Sequence, residues 1–174
     1  GHDIHTEEEL KLLLIESEEG GAIKHSEHEL IQNVFDFDDR IVKQILVPRT
    51  KIFAIDIELP DDEIIKKVLE EGYSRVPAYK DSLDNILGII YAKDLPKIIN
   101  HGELKIKDII RPAYFIPTSK RINDLLREFQ RQHIHMAIVT NEFGGAVGLV
   151  TMEDIIEELV GEIQDEYDEE KPIV

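Results

Sequence analysis

A threonine and an aspartate that could bind a phosphorylated sugar lie three residues apart, at Thr151 and Asp154. The apolar run before them predicts a buried strand ending at Val150, and the spacing after them predicts a helix starting at Thr151. A carboxylate can accept from both hydroxyls of a ribose, whereas a threonine hydroxyl can donate to a phosphate oxygen. The N–H groups at a helix N-terminus also suit phosphate. These two residues are therefore the first candidates for ligand binding.

The same two residues also fit a purely structural role. Thr-x-x-Asp before an apolar run is the pattern of an N-terminal helix cap, in which the hydroxyl accepts from a backbone N–H. Spacing alone does not separate capping from phosphate binding, and the two roles can coexist. Gly148, three residues earlier, predicts that a ligand or a neighbouring backbone approaches this strand closely.

The candidate residues belong to an internal repeat. Residues 42–48 return as 106–112, and residues 86–95 return as 146–155. Two related halves, each too small to bury a good core alone, are expected to pack together and leave clefts that bind ligands. In the first half the matching segment is 91–94, where Tyr91 replaces the hydroxyl cap, so any site there is degenerate or different.

Both halves predict the same order of elements, α-β-α-β-β-α, and hence an α+β fold. In the first half we expect a helix to residue 46, strands at 52–57, 75–79 and 86–91, a turn at 80–85, and helices after Pro60 and at 94–99. In the second half we expect elements at 114–117, 122–132, 136–140, 146–150 and 152–160. The predicted domains are 39–100 and 101–161, between a tag remnant with an acidic helical linker at 1–38 and an acidic tail at 162–174.

Composition excludes several classes of function. The chain has 174 residues and a formal net charge of -17, which argues against nucleic acid and against electrostatic docking on anionic lipid. The negative electrostatic potential of such a chain favours binding of a divalent cation, or of a nucleotide carrying one. The chain has no cysteine, which excludes disulfides, thiolate zinc sites and cysteine nucleophiles. Its longest apolar runs are strand-length, so we expect a soluble fragment that does not insert into a membrane. No catalytic triad or pair of buried carboxylates stands out, so we predict no enzyme.

The doubled pattern, with Gly-hydrophobic-hydrophobic-Thr-x-x-Asp closing the second half, resembles a tandem pair of cystathionine-β-synthase (CBS) domains. More narrowly, it is similar to the CorC/hemolysin C family and its animal relatives, the CNNM proteins. Four segments carry this resemblance, namely residues 47–49, 72–79, 142–145 and 150–163.

The resemblance implies a regulatory module on the cytoplasmic side of a membrane domain implicated in magnesium or cobalt export. It implies a flat homodimer that binds an adenine nucleotide, AMP or ATP, with Mg²⁺. Thr151 and Asp154 would hold the phosphate and ribose, with Glu153 in the same set. The facing wall of the cleft would be lined by Tyr73, Ser74, Arg75, Val76 and Pro77. Arg75 would be the phosphate counter-charge, because guanidinium can engage phosphate oxygens bidentately.

Two functions follow from these observations. The first is a sensor in which nucleotide occupancy changes the packing of the halves and so reaches the attached membrane domain. The alternative is a dimerisation scaffold with no bound nucleotide. Val47 favours the alternative, because the family often has a threonine there, near the expected adenine pocket.

Overall fold

The computed structural model describes residues 40–100, 102–158 and 160. The predicted linker and tail lie outside these residues. The helices are α1 (Asp61–Glu71), α2 (Leu95–Asn100), α3 (Ile106–Ile109), α4 (Ile122–Gln132) and a helix at residues 152–158. The strands are β1 (Val47–Pro48), β2 (Ile55–Asp56), β3 (Arg75–Lys80), β4 (Ser82–Tyr91), β5 (Phe115–Pro117), β6 (Met136–Thr140) and β7 (Ala146–Thr151). Short 3₁₀ turns occur at Val42–Gln44, Arg49–Lys51 and Ala92–Asp94. The α+β prediction is confirmed.

Several predicted boundaries are wrong. The turn expected at 80–85 is a tight hairpin around Asp81, whose φ of 69° an aspartate tolerates, so β4 already begins at Ser82. The strand expected at 52–57 is reduced to β2, and residues 52–54 before it lie in neither a helix nor a strand. Another 3₁₀ turn replaces the first helix, and one more precedes α2. β7 extends one residue beyond the predicted end, to Thr151.

The described chain divides into two compact units that cut across the sequence halves. The first unit contains residues 40–45, 118–135 and 150–158 with 160. The second unit contains residues 46–100, 102–117 and 136–149. Strands of the second unit therefore come from both halves of the repeat. Among the described residues, no helix is long and apolar enough to cross a bilayer.

The second unit is built on two sheets. One has the order β2-β3-β4, with β2 parallel and β4 antiparallel to β3. The other has the order β1-β7-β6-β5, and its strand β7 continues into the first unit. The core of the three-stranded sheet contains Ile55, Ile64, Val68, Val76, Ala78, Ile90, Leu95 and Ile106. A second cluster joins Ile89 of β4 to residues of the four-stranded sheet, namely Met136, Ile138, Ala146 and Leu149.

Each sequence half supplies a segment to the sheet of the other half. β1 pairs antiparallel with β7, so that Val47 lies opposite Leu149. In the matching position, Arg111 forms an antiparallel bridge with Ile89, with N–O distances of 2.8 and 2.9 Å. This reciprocal exchange is the feature of the second unit that sequence patterning alone does not give.

Two glycines allow this exchange. A Cβ on Gly88 would lie 2.5 Å from the carbonyl oxygen of Arg111, and one on Gly148 would lie 2.4 Å from that of Val47. Both distances are too short for a side chain to be accommodated without displacing backbone. The close approach predicted at Gly148 is confirmed, and the neighbour is a backbone.

The start of β7 is fixed by a carboxylate of the first half. Asp84 accepts hydrogen bonds from the Arg49 guanidinium and, at 3.1 Å, from the Ala146 N–H. The hydrogen bond from Arg49 holds the pKa of Asp84 below its usual value. Arg49 also donates to the Ala146 carbonyl at 3.1 Å. These contacts set the register in which β7 runs toward Thr151.

The first unit buries the apolar face of α4. The α4 boundaries were predicted correctly, because its apolar residues recur at helical spacing. The helix ends at His133, which takes a left-handed conformation with a φ of 54°. Buried residues of this unit are Val42, Ile122, Leu125, Leu126, Phe129, Val150, Met152, Ile155 and Ile156.

Candidate functional site

The junction between β7 and the following helix has the geometry of a helix cap. The Thr151 Oγ1 accepts a hydrogen bond from the Asp154 N–H at 3.1 Å. The Met152 N–H donates to the His135 carbonyl at 2.9 Å. Two backbone N–H groups at the start of the helix therefore already donate within the first unit. Fewer backbone N–H groups are left to bind a phosphate than the sequence predicts. The Thr151 hydroxyl proton still allows this oxygen to donate while it accepts.

The Asp154 side chain is the open acceptor at this junction. It is half-buried, and among the residues that the structure describes its carboxylate has no hydrogen-bond or ion-pair partner. A partly buried carboxylate without a donor loses hydration that a ligand with hydroxyl groups would restore. Glu153, one residue earlier, is exposed and lies 3.8 Å from His135 Nδ1.

The other predicted site residues lie at the start of β3, in the second unit. Tyr73 is 53% exposed, and its ring stacks on Phe53 with the centroids 5.7 Å apart. Ser74 is exposed, and its carbonyl accepts from the Ala92 N–H at 2.9 Å. Arg75 is half-buried. Val76 and Pro77 are buried, so their side chains contribute to packing.

Asp94, the first-half counterpart of Asp154, is hydrogen-bonded to protein side chains. Asp94 is only 3% exposed, and it accepts from Arg111 Nε at 2.9 Å and Arg111 Nη2 at 3.0 Å. Lys97 Nζ adds a third contact at 3.2 Å. The Arg111 hydrogen bonds, reinforced by Lys97, hold the pKa of Asp94 below its usual value. The carboxylate in the first half is therefore saturated by protein.

Arg111 and its ring partner were missed by the sequence reading. The guanidinium of Arg111 lies 4.2 Å from the centroid of the Tyr91 ring. A signal was present, because Arg111 occupies the repeat position that Val47 occupies in the first half. A charged residue in place of an apolar one predicts a buried partner of opposite charge.

The Asp94–Arg111 pair makes the free energy of unfolding depend on pH in the acidic range. Because the folded pKa of Asp94 is lowered, the unfolded state binds more protons near and below the unfolded pKa, and the stabilisation is lost as the pH falls through the folded value. At pH 7 we expect Asp94→Asn to destabilise the fold by about 2 kcal/mol, since Arg111 is partly exposed. Urea unfolding should show this difference unchanged down to about pH 5 and smaller below about pH 4. A difference independent of pH would contradict the assignment.

The CBS domain family model matches residues 42–101 and 106–161 of this chain. The UPF0053 protein YugS of Bacillus subtilis (strain 168) is 46% identical over 167 residues, which are 95% of this chain and 39% of YugS. The magnesium and cobalt efflux protein CorC of Pasteurella multocida (strain Pm70) is 37% identical over 171 residues, which are 97% of this chain and 57% of CorC. The chain thus spans less than two thirds of either relative.

A solved structure gives the same result. The CBS domain of a bacterial CNNM/CorC family Mg²⁺ transporter in complex with ATP is 40% identical to this chain, with a TM-score of 0.69. The match covers 78% of this chain and 98% of that one. Family, relatives and fold agree with the motifs at 47–49, 72–79, 142–145 and 150–163. The chain therefore belongs to the CBS-domain family, as a tandem CBS-domain pair of the CorC/CNNM type.

Proposed function

We propose that this chain is a regulatory module that binds an adenine nucleotide, AMP or ATP, together with Mg²⁺. In its parent it lies on the cytoplasmic side of the membrane, attached to the transport domain of a magnesium/cobalt efflux or hemolysin-like protein. Support comes from the efflux function named for CorC and from the ATP bound in the CNNM/CorC structure. The CBS pair is a regulatory module rather than a catalytic family, and we propose no reaction for it.

The observation that carries this proposal is the state of Asp154. Its half-buried carboxylate is left open by the described residues, beside a hydroxyl that can still donate. A ribose supplies two hydroxyl donors to such a carboxylate, and a phosphate oxygen accepts from Thr151. Glu153 stays in the proposed set as the neighbouring residue of the same turn.

The first half provides no equivalent carboxylate. Arg111 and Lys97 already donate to both oxygens of Asp94, so a ribose there would have to displace these partners from a buried carboxylate. We therefore propose one nucleoside-binding carboxylate in each chain, that of Asp154.

The residues at the start of β3 remain part of the proposed site, and we propose different roles for them. Arg75 is proposed as a phosphate counter-charge, because its guanidinium offers paired donors. Tyr73 and Ser74 are exposed and available for contact. Val76 and Pro77 are proposed to act by holding this segment in place, since both are buried in the second unit.

Magnesium would arrive with the nucleotide. Among the described residues, no group of three or more His, Asp or Glu side chains is placed to hold a metal ion. Mg²⁺ commonly keeps several waters and binds substrate phosphates. In a chain with a net charge of -17, it would also reduce repulsion of the triphosphate. A bound nucleotide can change the conformational equilibrium of the parent only if it binds one conformational state more tightly than the other.

Calorimetric titration with AMP, ADP and ATP, with and without Mg²⁺, tests the proposal. We expect saturable binding of at least one nucleotide, with a higher ATP affinity when Mg²⁺ is present. At one hundred times the dissociation constant, binding should stabilise the fold by about 2.7 kcal/mol and raise the melting temperature by roughly 5–10 °C. No heat from any nucleotide with a folded protein would overturn the proposal.

A homodimeric scaffold without nucleotide is the second candidate. The closed Asp94–Arg111 pair favours it, because one of the two related halves already fills its carboxylate with protein. The scaffold requires dimers by sedimentation analysis and no thermal shift with any adenine nucleotide. Nucleotide-dependent stabilisation of a dimer would reject the scaffold. We propose that the sensor is a homodimer as well, so a dimer alone does not reject the sensor.

A further inference from the structure

Two side chains of the first half hold the first residue of β7. The Ala146 N–H donates to Asp84 Oδ1, and the Ala146 carbonyl accepts from Arg49 Nη1, both at 3.1 Å. Arg49 also pairs with Asp84, so that the three residues form a closed set of contacts. We call Arg49, Asp84 and Ala146 the Ala146 clasp. Both backbone polar groups of Ala146 are thus bonded to side chains that lie far from it in the sequence.

The turn before Ala146 is closed by its own hydrogen bonds. Asn141 Oδ1 accepts from the N–H groups of Phe143 and Gly145 at 2.9 Å each, and the Asn141 N–H donates to the Gly145 carbonyl at 2.9 Å. These contacts fix β7 relative to β6, because the turn joins those two strands. The position of β7 relative to the first-half strands β1 and β4 is set instead by the Ala146 clasp, by pairing with β1 and by apolar packing.

Strand β7 connects the Ala146 clasp to a residue of the proposed nucleotide site. The strand runs without interruption from Ala146 to Thr151. Side chains alternate between the two faces of a strand, and a change of register moves all of them together. A binding site needs its groups held to within about half an ångström of the productive geometry. A displacement of Ala146 would therefore be carried along β7 to the Thr151 hydroxyl.

The Ala146 clasp is also exposed enough that its loss should leave the protein folded. The side chains of Arg49 and Asp84 are 39% and 52% exposed. Ion pairs with this exposure contribute little to the free energy of unfolding. The contacts of the clasp therefore affect where β7 lies more than whether the chain folds.

We propose that Asp84 is a positioning residue for the nucleotide site, acting with Arg49 through β7 on Thr151. This inference rests on the proposed function, and it assigns Asp84 no contact with the nucleotide. The segment 47–49 then has two roles, because Val47 and Pro48 pair with β7 and Arg49 bonds to its first residue. Side chains of the first half thus control the geometry of a site whose ribose-binding carboxylate belongs to the second half.

The test measures ATP affinity by calorimetry in the presence of Mg²⁺, with melting curves checking that each variant is folded. We expect Asp84→Ala to weaken ATP binding roughly fivefold, as for one impaired hydrogen bond. Arg49→Ala should have a similar effect. The double variant should bind no more weakly than either single one, because the two side chains act together. Asp84→Asn keeps an acceptor for the Ala146 N–H and should restore part of the affinity.

Glu58→Ala is the matched control. It removes a carboxylate of similar exposure, which pairs with Lys80 at 3.8 Å, and it changes the net charge equally. Its ATP affinity should stay within about twofold of that of wild type. Equal losses in Glu58→Ala and Asp84→Ala, or losses that add in the double variant, would overturn the inference.

Spectra recorded without nucleotide separate this inference from the proposed function. In ¹H–¹⁵N correlation spectra, Asp84→Ala should shift the amide signals along β7 as far as Thr151, whereas Glu58→Ala should not. Shifts confined to residues 145–147 would indicate a local role in closing the turn and would overturn the inference, whether or not ATP binds. If wild type bound no nucleotide while the shifts reached Thr151, the proposed function would fail and the positioning of Thr151 by Asp84 would stand.

Discussion

Asp154→Ala should reduce adenine-nucleotide affinity by about a hundredfold, because two charge-assisted hydrogen bonds to a ribose would be lost. Its carboxylate has no partner among the described residues, so the free energy of unfolding should change by less than about 1 kcal/mol. Calorimetry gives the affinity, and urea unfolding gives the stability. This combination of a large loss of binding and a small loss of stability distinguishes a ligand-binding carboxylate from a capping one.

Two further variants sharpen the comparison. Glu157→Ala removes an exposed carboxylate from the same helix and should leave nucleotide affinity within about twofold of wild type. Asp154→Asn keeps the shape and one acceptor oxygen but loses the charge, so its affinity should lie between those of wild type and Asp154→Ala. Equal losses in Glu157→Ala and Asp154→Ala would mean that net charge, not ribose recognition, sets the affinity.

Gly148→Ala should destabilise the fold by about 3 kcal/mol. The added Cβ would lie 2.4 Å from the Val47 carbonyl oxygen and 2.7 Å from a methyl group of Leu46. The methyl group can rotate away, but the carbonyl belongs to the pairing of β1 with β7. Relief therefore requires that β1 move away from β7. The midpoint of urea unfolding measures the effect.

The repeat offers both a second case and a control for this substitution. Gly88→Ala places its Cβ 2.5 Å from the Arg111 carbonyl oxygen and should be similarly destabilising. Gly102→Ala has no atom within 4 Å and should change stability by less than about 0.5 kcal/mol. If Gly148→Ala were as mild as Gly102→Ala, the close exchange of backbone between halves would be wrong.

The boundaries of an element could be predicted where its own residues show a clear hydrophobic pattern. The boundaries of α4 and β6 match the prediction, because their apolar residues repeat at helical spacing or form one buried run. The turn between β3 and β4 was predicted, but too long, because an aspartate with positive φ leaves little trace in the sequence. β2 was predicted too long, since the apolar run over residues 52–57 does not show that only residues 55 and 56 pair with β3.

The candidate site could be predicted only in its local part. Thr151 and Asp154 are three residues apart, so their cap follows from spacing, and the hydrogen bond between them confirms it. Asp94 and Arg111 are separated by two helices, α2 and α3, and their pairing depends on how the chain returns to β4. The role of Asp154 in nucleotide binding stays a prediction.

The reciprocal exchange of segments also bears on the order in which the chain assembles. In the folded state the pairing of Val47 with Leu149 and the bridge between Arg111 and Ile89 are equivalent. In the unfolded chain they are not, because the first joins residues about a hundred positions apart and the second about twenty. Closing the longer loop costs about 1.4 kcal/mol more in chain entropy.

We therefore expect the two equivalent contacts to form at different times during folding. The Arg111 bridge can form within a local segment, whereas β1 must wait until β7 is present. Gly88→Ala should then slow folding, while Gly148→Ala should mainly speed unfolding. A symmetric native contact would thus be reached by an asymmetric route, which is set by the position of each segment in the chain.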